Sequence, residues 1–185
     1  MVFCLLLMSC GNSLKPEAYI KWMENPKNGL NKSRSLGSVQ YTVQYKTPEY
    51  SMLKNNTLEE VNTDGHSGIH YFGLTLDPVD QKSQLLHVNL ASEQDYFARM
   101  QYFNFNFKND IYLNINGKQL PCEYYLFEST GKITPGLTFT LGFDAQKEKG
   151  DLQVVINDRV FGTGGINFLF KEKTLNNIPK LKNKS

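Results

Sequence analysis

The sequence offers little that would place it in a known class of chemistry. Only three of its 185 residues are cysteine, one is tryptophan, and the formal net charge is +2. So small a net charge gives no reason to expect binding to nucleic acid or to an acidic partner. The apolar run from Val2 to Met8 is too short to span a bilayer, which needs about 20 apolar residues.

The composition is that of a folded domain rich in strands. Hydrophobic residues make up 40% of the chain and charged residues 21%, which excludes an intrinsically disordered protein. Ten tyrosines and twelve phenylalanines favour β-structure, because aromatic side chains pack well on a pleated surface. A chain of this length suits one domain with a single sizeable core.

The N-terminus combines a short apolar run with a cysteine. Val2 to Met8 is long enough for the apolar region of a secretory signal. The four residues Leu7-Met8-Ser9-Cys10 resemble the lipobox of bacterial envelope lipoproteins, in which an aliphatic residue and a small residue precede a cysteine. The resemblance implies a signal peptide over residues 1–9, a diacylglyceryl group on the Cys10 thiol, and a lipidated tether over residues 10–15. The alternative is a cytoplasmic protein in which Val2 to Met8 form a buried strand.

The same resemblance implies a location and a redox state. Neither Asp nor Lys-Asp follows Cys10, so the implied destination is the outer membrane, facing the periplasm. No Lys or Arg precedes the apolar run, and we expect either that the natural start lies upstream or that the first codons were misassigned. Cys4 would leave with the signal and Cys10 would carry lipid, which leaves Cys122 alone and the domain without a disulfide. Its stability would then come from its core.

The pattern along the rest of the chain predicts a mainly β fold. Val39, Tyr41 and Val43 alternate with polar residues, as in a half-buried strand. Helices are predicted to begin near Pro16, Thr47 and Ser92, and the region from Asn28 to Gly37 to be a loop. The predicted strands are 38–46, 69–76, 85–90, 111–115, 119–127, 137–143, 151–156, 159–161 and 166–170. We expect an antiparallel sandwich or a partly open barrel of about eight strands with two or three short helices.

Three local signals refine this prediction. Asn116-Gly117 is typical of a tight hairpin turn, and Asn157-Asp158 suggests a second hairpin. Phe103, Phe105 and Phe107 alternate with polar residues just after the predicted helix at Ser92. This predicts a helix that runs into a strand, or a helix that ends early.

One β-rich domain is expected over residues 16–171, followed by a basic tail over residues 172–185. The lysines of this end of the chain are Lys171, Lys173, Lys180, Lys182 and Lys184, against the single acid Glu172. A solvated, frayed terminus is the favoured interpretation. Contact of this tail with anionic lipid headgroups is the alternative.

Candidate catalytic and metal-binding residues are weak. His66 and His70 have a metal-like spacing only on a helix, whereas the sequence predicts a strand there, and His87 would be the remaining ligand. Cys122 is interpreted as a buried, small hydrophobic residue rather than a nucleophile. Gly162 to Gly165 lacks the Lys and Ser/Thr of a phosphate loop and is interpreted as a turn. We therefore expect no metal, no cofactor and no enzymatic activity.

Acidic and aromatic side chains leave further alternatives open. Nothing in the spacing brings two carboxylates of a glycosidase-like pair together; the candidates are Glu123, Glu128, Asp144 and Asp151. Tyr124 and Tyr125 are adjacent, so on a strand they point to opposite faces, and one of them lies outside a two-layer core. Both are candidate recognition residues, since exposed aromatics stack on sugars or anchor protein partners.

These features favour a non-enzymatic lipoprotein that binds an envelope protein partner. Small β-sandwich lipoproteins of secretion-system membrane complexes are similar in architecture only, and residues 110–182 resemble uncharacterised lipoproteins of Bacteroidetes. The second hypothesis is a surface glycan-binding lipoprotein, which predicts a row of exposed aromatics flanked by polar side chains. The third is a hydrolase, which predicts a cleft with convergent acids or histidines.

Overall fold

Strands dominate the described part of the chain. The computed structural model describes residues 13–55, 68–128, 135–146 and 148–182. Its strands are β1 (Ser13–Leu14), β2 (Asn31–Leu36), β3 (Val39–Lys46), β4 (Ile69–Pro78), β5 (Ile111–Ile115), β6 (Lys118–Pro121), β7 (Tyr124–Phe127), β8 (Leu137–Asp144), β9 (Leu152–Asp158), β10 (Gly164–Phe170) and β11 (Lys180–Leu181). Its α-helices are α1 (Pro16–Glu24), α2 (Pro48–Asn55), α3 (Glu93–Gln101) and α4 (Glu172–Asn176).

Nine of these strands form two antiparallel sheets that pack face to face. One sheet has the order β2-β3-β4-β8-β7 and the other the order β10-β9-β5-β6. Neither sheet closes on itself within the described ranges. The mainly β, antiparallel sandwich expected from the sequence is thereby confirmed. The remaining strands, β1 and β11, pair in parallel as a two-stranded ribbon.

The inner faces of the two sheets form the main core. On β3, Val39, Tyr41 and Val43 are fully buried and the polar residues between them face outward, as the alternation predicts. Large aromatic side chains fill the centre of the core, and the fully buried ones include Phe72, Phe103, Phe107, Phe139, Phe143, Phe168 and Phe170.

The Asn116-Gly117 hairpin is confirmed, but the strand after it is shorter than predicted. Asn116 has φ 51° and Gly117 has φ 86°, the left-handed pair that a two-residue hairpin turn requires. The predicted strand 119–127 is interrupted at Cys122. There the chain leaves the four-stranded sheet and enters the five-stranded one. The inward positions change from even in β6, with Leu120, to odd in β7, with Tyr125 and Phe127. The sequence hides this change of phase because Tyr124 to Phe127 are all apolar or aromatic.

Two predicted segments were wrong in type. The predicted loop from Asn28 to Gly37 contains the edge strand β2. Its sequence is polar and does not look like a strand, because β2 pairs with β3 along one side only and is otherwise open to solvent. The predicted strand 85–90 is a series of turns. Its carbonyl oxygens are satisfied by Arg99, which donates to Leu85, Leu86 and Val88, instead of by a neighbouring strand.

The phenylalanine alternation after α3 does not mark a strand. Helical turns continue through a π-helical segment, Tyr102–Asn106, and a 3-10 segment, Phe107–Asp110. Phe103 and Phe107 lie four apart on one side of this segment and are buried, whereas Phe105 is 67% exposed. The α-helix itself thus ends at Gln101, and helical turns of other types, rather than a strand, follow it up to Asp110.

The second predicted hairpin has a longer turn. β9 pairs with β10, which begins at Gly164, so the predicted strand 159–161 belongs to the connection. Asp158 organises this connection: its carboxylate accepts hydrogen bonds from the backbone amides of Val160, Phe161 and Thr163. An acid at this position stabilises the turn because its carboxylate accepts hydrogen bonds from amides that would otherwise lack a partner.

A smaller second core lies at one end of the sandwich. Tyr19 and Met23 of α1 pack there with Leu30 and Tyr50, and Leu14, Leu175 and Leu181 lie against them. Residues 172–182, expected as a solvated tail, thus carry α4 and β11 and contribute to this core. Their apolar residues, spaced among lysines, were too few to predict it. No helix in the described ranges is long and apolar enough to cross a membrane.

Candidate functional site

The outward face of the five-stranded sheet is lined by short polar side chains. In the register of β3, β4 and β8, Thr42 lies opposite Thr75, and Thr75 opposite Thr138. All three are half-buried. Because these hydroxyls stand on a rigid sheet, the face is a regular polar surface rather than an apolar packing surface.

Two tyrosines close one end of this face. Tyr71 of β4 and Tyr124 of β7 lie on either side of Gly142 of β8, and their ring centroids are 6.1 Å apart. A Cβ at position 142 would lie 2.9 Å from Tyr124 Cβ and 3.0 Å from Tyr71 Cε1. The rings therefore occupy the space that the glycine leaves, which gives this tyrosine pair a structural role in addition to any recognition role.

Edge strand β7 exposes apolar side chains next to these tyrosines. Tyr124 is 50% exposed and Leu126 is 59% exposed, both on the outward face. Tyr125 points inward, where its hydroxyl donates to the carbonyl oxygen of Phe103. Burial raises the pKa of Tyr125, consistent with a neutral phenol in the core. The adjacent tyrosines thus take opposite faces as expected, and only Tyr124 is available to a partner.

Two of the other three sheet edges differ from β7 in their protection. The edge strand β2 points Lys32 and Arg34 toward the rim of the sandwich, and the Lys32 ammonium lies 5.7 Å from the centroid of the Phe170 ring. The edge strand β6 begins with Lys118 and ends with Pro121. Charges and proline are the usual means of preventing another chain from pairing with a sheet edge. β7, with the sequence Tyr-Tyr-Leu-Phe, has neither, and β10, the remaining edge, also lacks both. The β7 edge differs from β10 in that it exposes two large apolar side chains, Tyr124 at 50% and Leu126 at 59%, whereas β10 exposes Leu169 at 39%.

A surface cavity of about 450 Å³ opens at the far end of the same outward face. Asp77 and Glu128 both line it, together with Gln40. Partial burial raises the pKa of Asp77, and the Glu128 carboxylate accepts a hydrogen bond of 2.8 Å from Thr140. A Cβ at Gly136 would lie 2.3 Å from Asp77 Oδ1, so glycine leaves room for this carboxylate.

Asp77 is the site residue that sequence reasoning missed. The strand predicted from the sequence, 69–76, ends one residue before it. Along β4 the odd-numbered residues point outward, so Asp77 lies on the outward face beside Gln40. This alternation was the signal in the sequence that could have identified it. Its proximity to Glu128 depends on how β7 and β8 assemble, which the sequence does not reveal.

The carboxylates proposed from the sequence do not converge. Glu128 follows β7 beside Thr138, whereas Asp144 ends β8 six residues farther on, about 20 Å along the strand. Asp151 accepts hydrogen bonds from Lys171 and the amide of Glu172 instead. Glu123 donates its backbone amide to Gly142 and lies at the crossing between the sheets. The only one of the four at the cavity is Glu128.

The histidines have separate structural contacts. His66 lies outside the described residues. Nδ1 of His70 is 3.1 Å from the Tyr45 hydroxyl, and the His87 ring stacks on Tyr96 at a centroid distance of 4.8 Å. Within the described ranges no three His, Cys, Asp or Glu side chains are grouped as a metal site.

Cys122 lies between β6 and β7 and is buried. Its Sγ is 3.3 Å from the carbonyl oxygen of Tyr124. Burial raises the pKa of this thiol to about 11, so that it is protonated at neutral pH. These properties agree with a packing residue.

The Gly162 to Gly165 segment is a turn. Gly162 and Gly164 have φ 73° and 70°, and a strand rather than a helix follows.

Comparisons with known proteins add little. No family model matches the chain, and no curated protein sequence is significantly similar to it. Among solved structures, the crystal structure of a DUF4426 family protein from Pseudomonas aeruginosa PAO1 matches with a TM-score of 0.37 and 10% identity. The match covers 77% of this chain and 92% of the other. A TM-score this low supports no inference about function.

Proposed function

We propose that this chain is a membrane-anchored lipoprotein of the cell envelope whose β-sandwich binds an envelope protein partner without catalysing a reaction. Acyl chains on Cys10 would provide the anchor, and the outer membrane facing the periplasm would be the location. The Leu7-Met8-Ser9-Cys10 pattern supports the anchor. The observation that carries the binding function is the uncharged edge strand β7, with Tyr124 and Leu126 exposed.

The geometry of β7 suggests how a partner would bind. The amide of Glu128 donates to the carbonyl oxygen of Thr138 on β8. Because hydrogen-bonding directions alternate along an antiparallel strand, the backbone groups of Phe127 point away from β8. No strand pairs with that side of β7 within the described residues. An extended segment of the partner would pair there, while Tyr124 and Leu126 contact its side chains.

Affinity capture from detergent-solubilised membranes tests the binding function. The lipidated, full-length chain should recover a protein in stoichiometric amount. Leu126→Lys should abolish recovery, because a lysine on an edge strand opposes pairing. Leu169→Lys is the matched control, since Leu169 is an exposed leucine on β10, an edge strand of the other sheet. Equal recovery with both variants, or no stoichiometric protein with wild type, would contradict the proposal.

The anchor is tested separately by metabolic labelling with a fatty acid. Wild-type protein should incorporate the label and fractionate with membranes. Cys10→Ser should lose both, because serine cannot form the thioether. Unlabelled wild-type protein in the cytosol would exclude a lipoprotein.

Glycan binding is the second candidate function. Tyr71 and Tyr124 form an aromatic pair beside the polar rows of the outward face, and Gln44 and Thr140 lie in the adjacent row. Sugar rings stack on such side chains while polar groups bind their hydroxyls. Retention on immobilised glycans, lost in Tyr124→Ala and kept in Tyr124→Phe, would favour this function over a protein partner.

A further inference from the structure

The two ends of the described chain are joined in one ribbon. Ser13 pairs with Lys180 and Leu14 with Leu181, in parallel, and the backbone amide of Lys182 donates a hydrogen bond of 2.8 Å to the carbonyl oxygen of Leu14. Lys180 and Lys182 therefore have a fixed position beside β1. They do not move freely on a frayed tail.

The two faces of this ribbon differ in chemistry. Leu14 and Leu181 pack against the smaller core. Because side chains alternate along a strand, Lys180, Lys182 and Lys15 take the opposite face, and all three are exposed. In the described ranges none of the three lies within ion-pair distance of an acid. Glu17 and Glu172, the nearest acids in the sequence, belong to the first turns of α1 and α4.

The sequence places this face close to the proposed anchor. Ser13 is three positions after Cys10 in the sequence, with two residues between them, and an extended chain spans at most about 3.6 Å per position. If Cys10 carries the acyl chains, as the proposed function requires, the ribbon cannot be more than about 11 Å from it. That distance is comparable to the Debye length of about 8 Å at physiological salt, so charges on the ribbon interact with the membrane surface.

We propose that the outward face of the β1–β11 ribbon, carrying Lys15, Lys180 and Lys182, contacts anionic phospholipid headgroups. The lipid anchor holds the ribbon at the surface, and the lysines fix the orientation of the domain. The second core then faces the membrane, and the Asp77 cavity at the other end of the strands faces away from it. Stable attachment to a membrane usually requires two signals, and here these would be the lipid anchor and the basic patch.

Lysine reactivity in vesicles tests this contact. Full-length lipidated protein is reconstituted in vesicles of phosphatidylcholine, or in vesicles where phosphatidylglycerol replaces a third of it. Brief acetylation followed by mass spectrometry gives the reaction rate of each lysine. Lys15, Lys180 and Lys182 should react about fivefold more slowly on the anionic vesicles, the factor that corresponds to about 1 kcal/mol per lysine near an anionic surface. High salt should remove the difference.

Three exposed lysines elsewhere serve as internal controls. Lys82, Lys108 and Lys149 should react equally on both kinds of vesicle. A fatty-acid label on Cys10 with equal ribbon reactivity on both vesicles would overturn the ribbon contact and leave the anchor intact. Protection of the control lysines to the same degree would also overturn it, because the contact would then be nonspecific. Absence of the label would overturn the anchor and this contact with it.

Discussion

The hydroxyl of Tyr19 lies 2.8 Å from Oγ1 of Thr47, and this contact joins α1 to the first turn of α2. Thr47 Oγ1 also accepts a hydrogen bond of 3.1 Å from the backbone amide of Tyr50, so the residue caps α2, the helix that the sequence predicts to begin near it. The Thr47 hydroxyl is thus the hydrogen-bond partner of two buried groups, the Tyr19 hydroxyl and the Tyr50 amide. The two helices that it connects pack together over the second core.

Thr47→Val should lower the free energy of unfolding by about 2 kcal/mol, because it removes the cap and leaves the buried Tyr19 hydroxyl without this partner. Urea denaturation monitored by circular dichroism measures the loss. Thr47→Ser keeps the hydroxyl and should retain most of the stability. Equal stability of the Val and Ser variants would show that this hydroxyl does not stabilise the helix pair.

Phe139→Ala should be among the most damaging core substitutions. The Phe139 ring is fully buried and lies 4.9 Å from the Phe127 ring and 5.2 Å from that of Phe107, measured between centroids. Removing it should cost about 3 to 5 kcal/mol in thermal or urea unfolding. Thr138→Ala, on the outward face of the same strand, should cost much less. A similar loss for both would contradict the placement of the core between the sheets.

His70 should make stability depend on pH. Burial lowers the pKa of His70 below its ordinary value of 6.5, so the unfolded chain binds the proton more readily than the folded one. The contribution of His70 is therefore fully present above pH 6.5 and is lost as the pH falls through the lower folded pKa. Unfolding measured on both sides of this pH should show the decline in wild type. His70→Gln should reduce it, and an undiminished decline in this variant would contradict the role of His70.

Cys122 should be nearly inert in the folded protein. Burial raises the pKa of its thiol from 9.0 to about 11, which lowers the thiolate fraction about 100-fold, and the side chain is also shielded from reagents. Alkylation with iodoacetamide, followed at the peptide that contains Cys122, should be at least that much slower in the native chain than in urea. Comparable rates in the two states would indicate an accessible thiol and reopen a nucleophilic role.

The sequence correctly predicted the elements that are determined by residues adjacent to one another in the chain. The Thr47 cap and the Asn116-Gly117 turn each depend on the backbone preferences of a few adjacent residues, and both are present. The alternation of Val39, Tyr41 and Val43 predicted a strand because one of its faces is fully buried. Such signals do not depend on which strand is the neighbour.

Elements that depend on distant partners were mispredicted. β2 lacks an apolar face because it forms the rim of the sheet. Residues 85–90 have the composition of a strand, but Arg99 takes their carbonyl oxygens. In both cases the deciding interaction comes from elsewhere in the sequence, so no window of neighbouring residues contains it.

The sequence by itself determined the class of fold, the opposite faces of Tyr124 and Tyr125, and the motif at Cys10. Those properties follow from period, parity and adjacency. Only the tertiary structure decided that β7 is an uncharged edge, that Asp77 and Glu128 line one cavity, and that Lys15 and Lys182 lie on one ribbon. Each of these depends on strand order or on pairing between distant segments, which is set by the packing of the whole core.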